Sequence, residues 1–479
     1  MQNFSEGHTN PATRPRIQEG MCPTTGPNMK AAASLLLISF GFTGVAVAAP
    51  EAVGCHAGAY TLDDGRIVAI APTSDPSDLR WRALDGRSGL LKQGEGGQWN
   101  SSLGWTGRAD GVKVRFGDCG QGKITFDGHA GQRQQFDITE TTFAGNGVKL
   151  RGRLVLPRGS KPVPIAIEVH GSENNSAVQG LYTQYLYPAS GIGVFVYDKR
   201  GTGESTGHYT QNFHLLADDA RAALAEARRL AGNRVKRIGY DGGSQGGWVA
   251  PLAASSSDPD FVVVRFGLAD SPLAEDRDQV MLDLRNAGYG DDVMVKAREV
   301  TDVTGAIVAA RGASSWERLD AIRAKFATQP WWPAMKGEFT GLVVTLSRER
   351  SGELAPVLEQ ETSWEFDPMP TLRNLRVPLL WVLAGEDREA PPKETRERLL
   401  QLARDGRAVS VIEFPDTDHG ILEFETAADG ERTSTRYADG YFRVVNDWIG
   451  TGTFHDAPYG HGKILAAPGK AGAKSSATK

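Results

Sequence analysis

A serine hydroxyl attacks a carbonyl only when a neighbouring base takes its proton, and that base needs a carboxylate to fix its tautomer and stabilise its charged form. Ser244, Asp387 and His419 have the residue types and the chain order for that chemistry. Ser244 follows a short apolar run, Ile238-Gly239-Tyr240, and sits in Gly242-Gly243-Ser244-Gln245-Gly246. An apolar run of helical length, Trp248 to Ala254, comes next. Strand, tight turn and helix together lift a serine above a sheet edge and aim a helix N-terminus at it. The flanking glycines remove the Cβ atoms that so sharp a turn would drive into its neighbours. The backbone N–H of Gln245 then points to where an oxyanion would form. The five-residue pattern alone is weak in a chain with 57 glycines, so the flanking strand and helix carry the reading.

The acid and the base have rivals. Glu386 adjoins Asp387, whereas Asp416 and Asp418 read as turn formers. Of nine histidines, only His419 follows the last apolar strand with a glycine behind it. His170 ends an earlier strand, His56 and His129 lie in the N-terminal part, and His455 and His461 lie near the C-terminus. His208 and His214 follow an Arg-Gly loop, and His8 precedes the apolar leader.

The elements that must position these residues alternate. Apolar runs at 163–169, 194–197, 238–240, 261–266, 377–383 and 409–414 read as buried strands, preceded by a hairpin within 143–157. Helical periods follow at 213–231, 393–405 and 436–448. This alternation specifies a mainly parallel sheet covered by helices on both faces, an α/β fold. Ser244, Asp387 and His419 each fall just past a strand, where loops on one sheet edge converge.

The strand ending in His170-Gly171, the loop Asp198-x-Arg200-Gly201-x-Gly203-x-Ser205 and the Ser244 turn resemble the α/β-hydrolase fold over residues 136–451. Within that superfamily the chain is similar to secreted bacterial serine esterases and prolyl-oligopeptidase-like (dienelactone-hydrolase-like) hydrolases whose turn reads Ser-Gln-Gly-Gly-Trp. The resemblance implies a catalytic triad of Ser244, Asp387 and His419, the Gly-x-Asp pattern selecting Asp387 over Glu386. It implies an oxyanion hole from the amides of Gln245 and Ser172. Glu173-Asn174-Asn175 departs from the proline that such chains often carry there. It also implies a helical lid at about 273–370, where Trp331 and Trp332 either line an acyl pocket or pack the lid. The expected activity is hydrolysis of a small-molecule ester, or a short peptide, through an acyl-enzyme, with no cofactor and no metal. The cysteines and histidines show no zinc spacing. A peptidase is the nearest alternative, although residues 50–135 are too few for a β-propeller. A non-catalytic binding protein on the same scaffold is the other.

Composition bounds the rest. A net charge of −5 gives no basic excess for a nucleic-acid partner. Met29-Lys30, an apolar stretch and Ala46-x-Ala48 read as a secretory signal peptide ending near Ala49, with Met29 as the natural start after a polar extension. Ser39, Gly41, Thr43 and Gly44 interrupt it too often for a stable membrane span. Export to the periplasm or beyond leaves two cysteines, Cys55 and Cys119, expected to form a disulfide. Residues 50–135 alternate in short runs with Asp-Gly pairs at 64–65, 85–86, 110–111 and 127–128, the pattern of a small antiparallel β domain. Trp81, Trp99 and Trp105 there are expected to pack rather than to bind. Residues 452–479, rich in Gly, Ala, Lys and Ser, are expected to be a disordered tail.

Overall fold

The computed structural model describes residues 53–456 and 458–467, so the expected leader lies outside the described residues. Eight strands, from Gly58–Leu62 to His129–Arg133, pair antiparallel in chain order, and the first pairs with the last to close a barrel. Gly65, Gly86, Gly111 and Gly128 all have φ between 82° and 91°, the left-handed backbone that Asp-Gly turns supply without strain. Trp81 and Trp99 fill the barrel, Trp81 donating to Ser101 Oγ at 2.8 Å. Trp105 instead leaves the barrel and meets Tyr437 of the second unit, ring centres 5.8 Å apart.

Beyond the barrel a nine-stranded sheet carries the rest. Its spatial order is Lys463–Ala466, Val409–Phe414, Leu379–Ala384, Val262–Arg265, Val235–Gly243, Val163–Val169, Gly193–Tyr197, Lys149–Pro157 and Phe136–Ala144. The middle strands, from Val409–Phe414 to Gly193–Tyr197, run parallel, and the outer ones are antiparallel. Every residue of Val262–Arg265 and Leu379–Ala384 is buried, as expected for strands sandwiched between helices. Helices Phe213–Ala231, Gly246–Ala254 and Pro392–Arg404 pack one face, and Thr183–Ala189 with Tyr441–Thr451 packs the other.

Between the fourth and fifth parallel strands the chain leaves the sheet. Helices Pro272–Asn286, Asp291–Ala309 and Trp316–Phe326 form a helical insertion with apolar clusters of its own. Trp331, 2% exposed, packs there against Phe326. Trp331 therefore packs within this insertion.

Two expectations needed correction. Residues 458–467 are not a disordered tail: Lys463–Ala466 adds an antiparallel edge strand to Val409–Phe414. Only Ile464 and Leu465 mark it, a pattern too short to stand out from its small polar surroundings. The last helix starts at Tyr441, not 436, because Leu422–Thr426 and Arg432–Tyr437 form a hairpin before it. That hairpin is the seam with the barrel: Trp105 N–H donates to the Ser434 carbonyl and Tyr437 N–H to the Gly86 carbonyl, both at 2.9 Å. Among the described residues no helix is long and apolar enough to cross a membrane.

Candidate active site

Strand Val235–Gly243 runs straight into helix Gly246–Ala254, and Ser244 between them has φ +50°. A non-glycine residue held there costs about 1–3 kcal/mol and persists only where its surroundings over-determine it. The surroundings do so. Ser244 N–H donates to the Arg265 carbonyl at 3.0 Å, and its own carbonyl accepts from Gly247 N–H at 2.7 Å. A Cβ at Gly242 would overlap the Gly246 carbonyl, and one at Gly246 the Val169 carbonyl.

Ser244 Oγ lies 3.1 Å from His419 Nε2, and His419 Nδ1 lies 2.8 Å from Asp387 Oδ2. The other Asp387 oxygen accepts the Glu389 and Ala390 amides at 2.9 and 2.7 Å, which fixes the carboxylate plane. The imidazole packs edge-on against Phe266, centroids 4.9 Å apart. Glu386 turns away to Arg432 at 2.5 Å, so the neighbouring acids are separated by direction. Asp418 Oδ1 accepts from the Arg388 and His419 amides, both at 2.9 Å, and serves the turn.

Arg432, on the hairpin before the last helix, joins the loops that carry Asp387 and His419. It donates to the Glu386 carbonyl at 2.7 Å and to Asp418 at 3.0 Å, and it lies 3.8 Å over the Phe424 ring. Below the turn, Arg265 bonds Asp241 at 2.7 Å and Glu168 at 3.0 Å, linking three neighbouring strands by buried charge. Asp198 accepts from Ser176, Val178 and Glu204, and Arg200 pairs with Asp219 through two bonds of 2.7 and 2.8 Å. The Arg-Gly loop is thereby a structural corner.

Gln245 adjoins Ser244 in the chain, and Gly171, the residue before Ser172, packs against it. Gln245 is the next residue and opens the helix. Ser172 follows Gly171, where a Cβ would stand 3.2 Å from Ser244 Cβ. The Ser172 carbonyl accepts from the Tyr209 hydroxyl, and the Gly171 carbonyl from Lys199 Nζ at 2.5 Å. Burial, then Lys199, lowers the His170 pKa, and its Nδ1 faces Glu173 Oε2 at 3.4 Å.

The electrostatics of the pair are unusual. Burial pushes the His419 imidazole down, yet Asp387 and then Glu389 carry its pKa up to about 10. Burial raises Asp387 against the pull of His419. Glu389 Oε1 lies 3.7 Å from His419 Nε2, on the side that faces Ser244. Neither Glu389 nor Arg432 stood out in the sequence. A Gly-x-Asp loop with a second carboxylate two residues on was the available signal for Glu389.

The family model described as alpha/beta hydrolase matches residues 169–430, over half the chain, and the chain belongs to that family. Family and fold define its class as a hydrolase. Among solved structures, an esterase of Pyrococcus furiosus is similar at 18% identity, covering 59% of this chain and 84% of its own, with a TM-score of 0.39. An acylaminoacyl peptidase of Pyrococcus horikoshii is 15% identical over 82% of this chain and 57% of its own, with a TM-score of 0.41. A Pyrobaculum calidifontis esterase is 16% identical over 60% and 77%, with a TM-score of 0.36. A search of curated proteins returned no match.

Proposed function

We propose that the protein is a serine hydrolase that cleaves carboxylic esters through Ser244, His419 and Asp387 and an acyl-enzyme intermediate. The observation that carries this reading is the line of contacts from Ser244 Oγ to His419 (3.1 Å) to Asp387 (2.8 Å) at a strained turn. Ser244 Oγ attacks the ester carbonyl as His419 Nε2 takes its proton. The oxyanion rests on the Gln245 and Ser172 amides, each such donor being worth roughly 100- to 1000-fold in turnover. His419 returns the proton to the leaving alcohol, then takes one from the water that attacks the acyl-enzyme. Its Nδ1–H stays on Asp387 throughout. No cofactor enters the cycle.

The same reading places the enzyme outside the cytoplasm, with Cys55 and Cys119 joined. Their Cα atoms lie 5.6 Å apart, within the range a disulfide spans.

Hydrolysis of a p-nitrophenyl ester series, acetate to decanoate, by the wild type and Ser244→Ala tests the function. Turnover by the wild type and a loss of roughly 10⁴-fold or more in the variant is the expected result. A folded wild type that hydrolyses no ester but cleaves peptide p-nitroanilides would replace esterase by peptidase.

A further inference from the structure

The second amide assigned to the oxyanion belongs to the peptide unit that joins Gly171 to Ser172, and the carbonyl end of that same unit is held by a cation. Lys199 Nζ donates to the Gly171 carbonyl at 2.5 Å. The next carbonyl along, that of Ser172, accepts from the Tyr209 hydroxyl. Both side chains come from the stretch between strand Gly193–Tyr197 and helix Phe213–Ala231. That strand lies parallel beside Val163–Val169, so the loops after the two strands meet at one sheet edge. Lys199 also lies over the Tyr209 ring, 5.2 Å from its centre, within cation–π range.

Lys199 is 4% exposed, and an ammonium is rarely buried so far unless it is paired. What meets it is the Gly171 carbonyl, the Tyr209 ring and the charge of Glu173. Burial lowers its pKa to about 8 and Glu173 opposes the fall, so it keeps its proton at pH 7. The peptide it holds passes directly against the nucleophile, since a Cβ at Gly171 would stand 3.2 Å from Ser244 Cβ. Residues 171–175, Gly-Ser-Glu-Asn-Asn, hold no proline to stiffen that path. No backbone carbonyl among the described residues accepts from the Ser172 N–H.

We propose that Lys199 is a positioning residue for the oxyanion hole: it aims and polarises the Gly171–Ser172 peptide, while Tyr209 fixes the peptide that follows. The proposal rests on the serine-hydrolase reading above, in which the Ser172 amide holds the oxyanion. A trans peptide is planar, with its carbonyl and N–H on opposite sides. A cation fixed on the oxygen therefore sets the direction of the hydrogen. It also draws electron density toward the oxygen and leaves that hydrogen more positive, the sense in which chained hydrogen bonds strengthen one another. The gain grows as negative charge develops beyond the N–H, so it favours the transition state over the bound ester. Lys199 acts through the peptide and does not touch the substrate.

The test uses the full-length wild type, Lys199→Met and Tyr209→Phe at pH 7, each with a native circular-dichroism spectrum at the assay temperature. Three quantities are read. The first is kcat/KM for p-nitrophenyl acetate. The second is Ki for a trifluoromethyl ketone: the Ser244 Oγ–carbon bond forms, the carbonyl pair becomes an oxyanion and His419 takes the hydroxyl proton. The third is Ki for the matching trifluoromethyl carbinol, which is close in shape and forms no oxyanion. Lys199→Met should weaken the ketone and lower kcat/KM by the same factor, with carbinol binding unchanged. About 10- to 100-fold is expected, the range that a hydrogen bond to a charged group commands. Tyr209→Phe should show the same pattern at about fivefold, as for one neutral hydrogen bond, and carries the test if Lys199→Met does not fold. Ketone and carbinol weakened together, or neither weakened, would overturn the proposal. Fluorophosphonate labelling of the wild type separates the two claims. Labelling at Ser244 with an unchanged ketone-to-carbinol ratio in the variants removes the role of Lys199 and leaves the triad. A folded wild type that does not label removes both.

Discussion

In the barrel, Tyr60, Trp81, Trp99 and Phe126 fill the interior, and the tight turns are made by glycines and by Asp127, a residue type that tolerates left-handed backbone. At the carboxyl edge of the sheet, Ser244 and Phe266 hold positive φ without being glycine, and Glu168, Asp241, Arg265, Asp387 and His419 are buried together. The barrel buries Arg80 and Arg82 as well, but at the seam, stacked on Trp105 and Tyr182. One region is arranged for stability. The other sets strained backbone and buried charge around one hydroxyl, which a fold tolerates only where packing over-determines it.

That contrast can be broken or sharpened by substitution. The largest effect should come from Asp387→Asn, which keeps the shape and loses the charge. A fall of roughly 10⁴-fold in kcat is expected, with a native circular-dichroism spectrum at the assay temperature as the control. Trp99→Ala should do the reverse. Emptying the barrel core should cost about 3–5 kcal/mol in chemical denaturation while the folded fraction keeps its kcat. Loss of kcat beyond the unfolded fraction would mean that the two regions are coupled.

Arg432→Ala tests the hairpin between them. Releasing the link from the Glu386 carbonyl to Asp418 should lower kcat roughly 10- to 100-fold with little change in KM, because it misplaces acid and base rather than substrate. Arg432→Lys should recover part of it. The smallest effect is on pH. His419 must be neutral to act as base, and its pKa is carried up to about 10, so kcat/KM for a neutral ester should still be rising above neutral pH. The same shift stabilises the folded chain below the unfolded histidine value, and that contribution is lost as pH rises through about 10.

What was legible in the sequence was local. Leu379–Ala384 and Val262–Arg265 are continuous apolar runs because both faces are covered, so their strand character and the loops behind them could be read directly. The turn at Ser244 announces itself by its glycines. The Asp-Gly pairs mark the barrel's turns, but their regular spacing says nothing of closure, which is a pairing between residues 60–62 and 131–133. The hairpin Leu422–Thr426 with Arg432–Tyr437 was missed because Arg432-Thr433-Ser434-Thr435-Arg436 has no apolar alternation; its register is held by the barrel across the seam. Glu386 and Asp387 could not be told apart by type, and the direction each takes, to Arg432 or to His419, is a tertiary fact.

The central claim is that Ser244 is an activated nucleophile. The most direct measurement is the rate of covalent labelling by a fluorophosphonate, with peptide mapping, in the wild type, His419→Ala and Asp387→Asn. Labelling mapped to Ser244 and slowed by several orders of magnitude in both variants is the predicted result. Labelling elsewhere, or at Ser244 with the same rate in all three proteins, would contradict it.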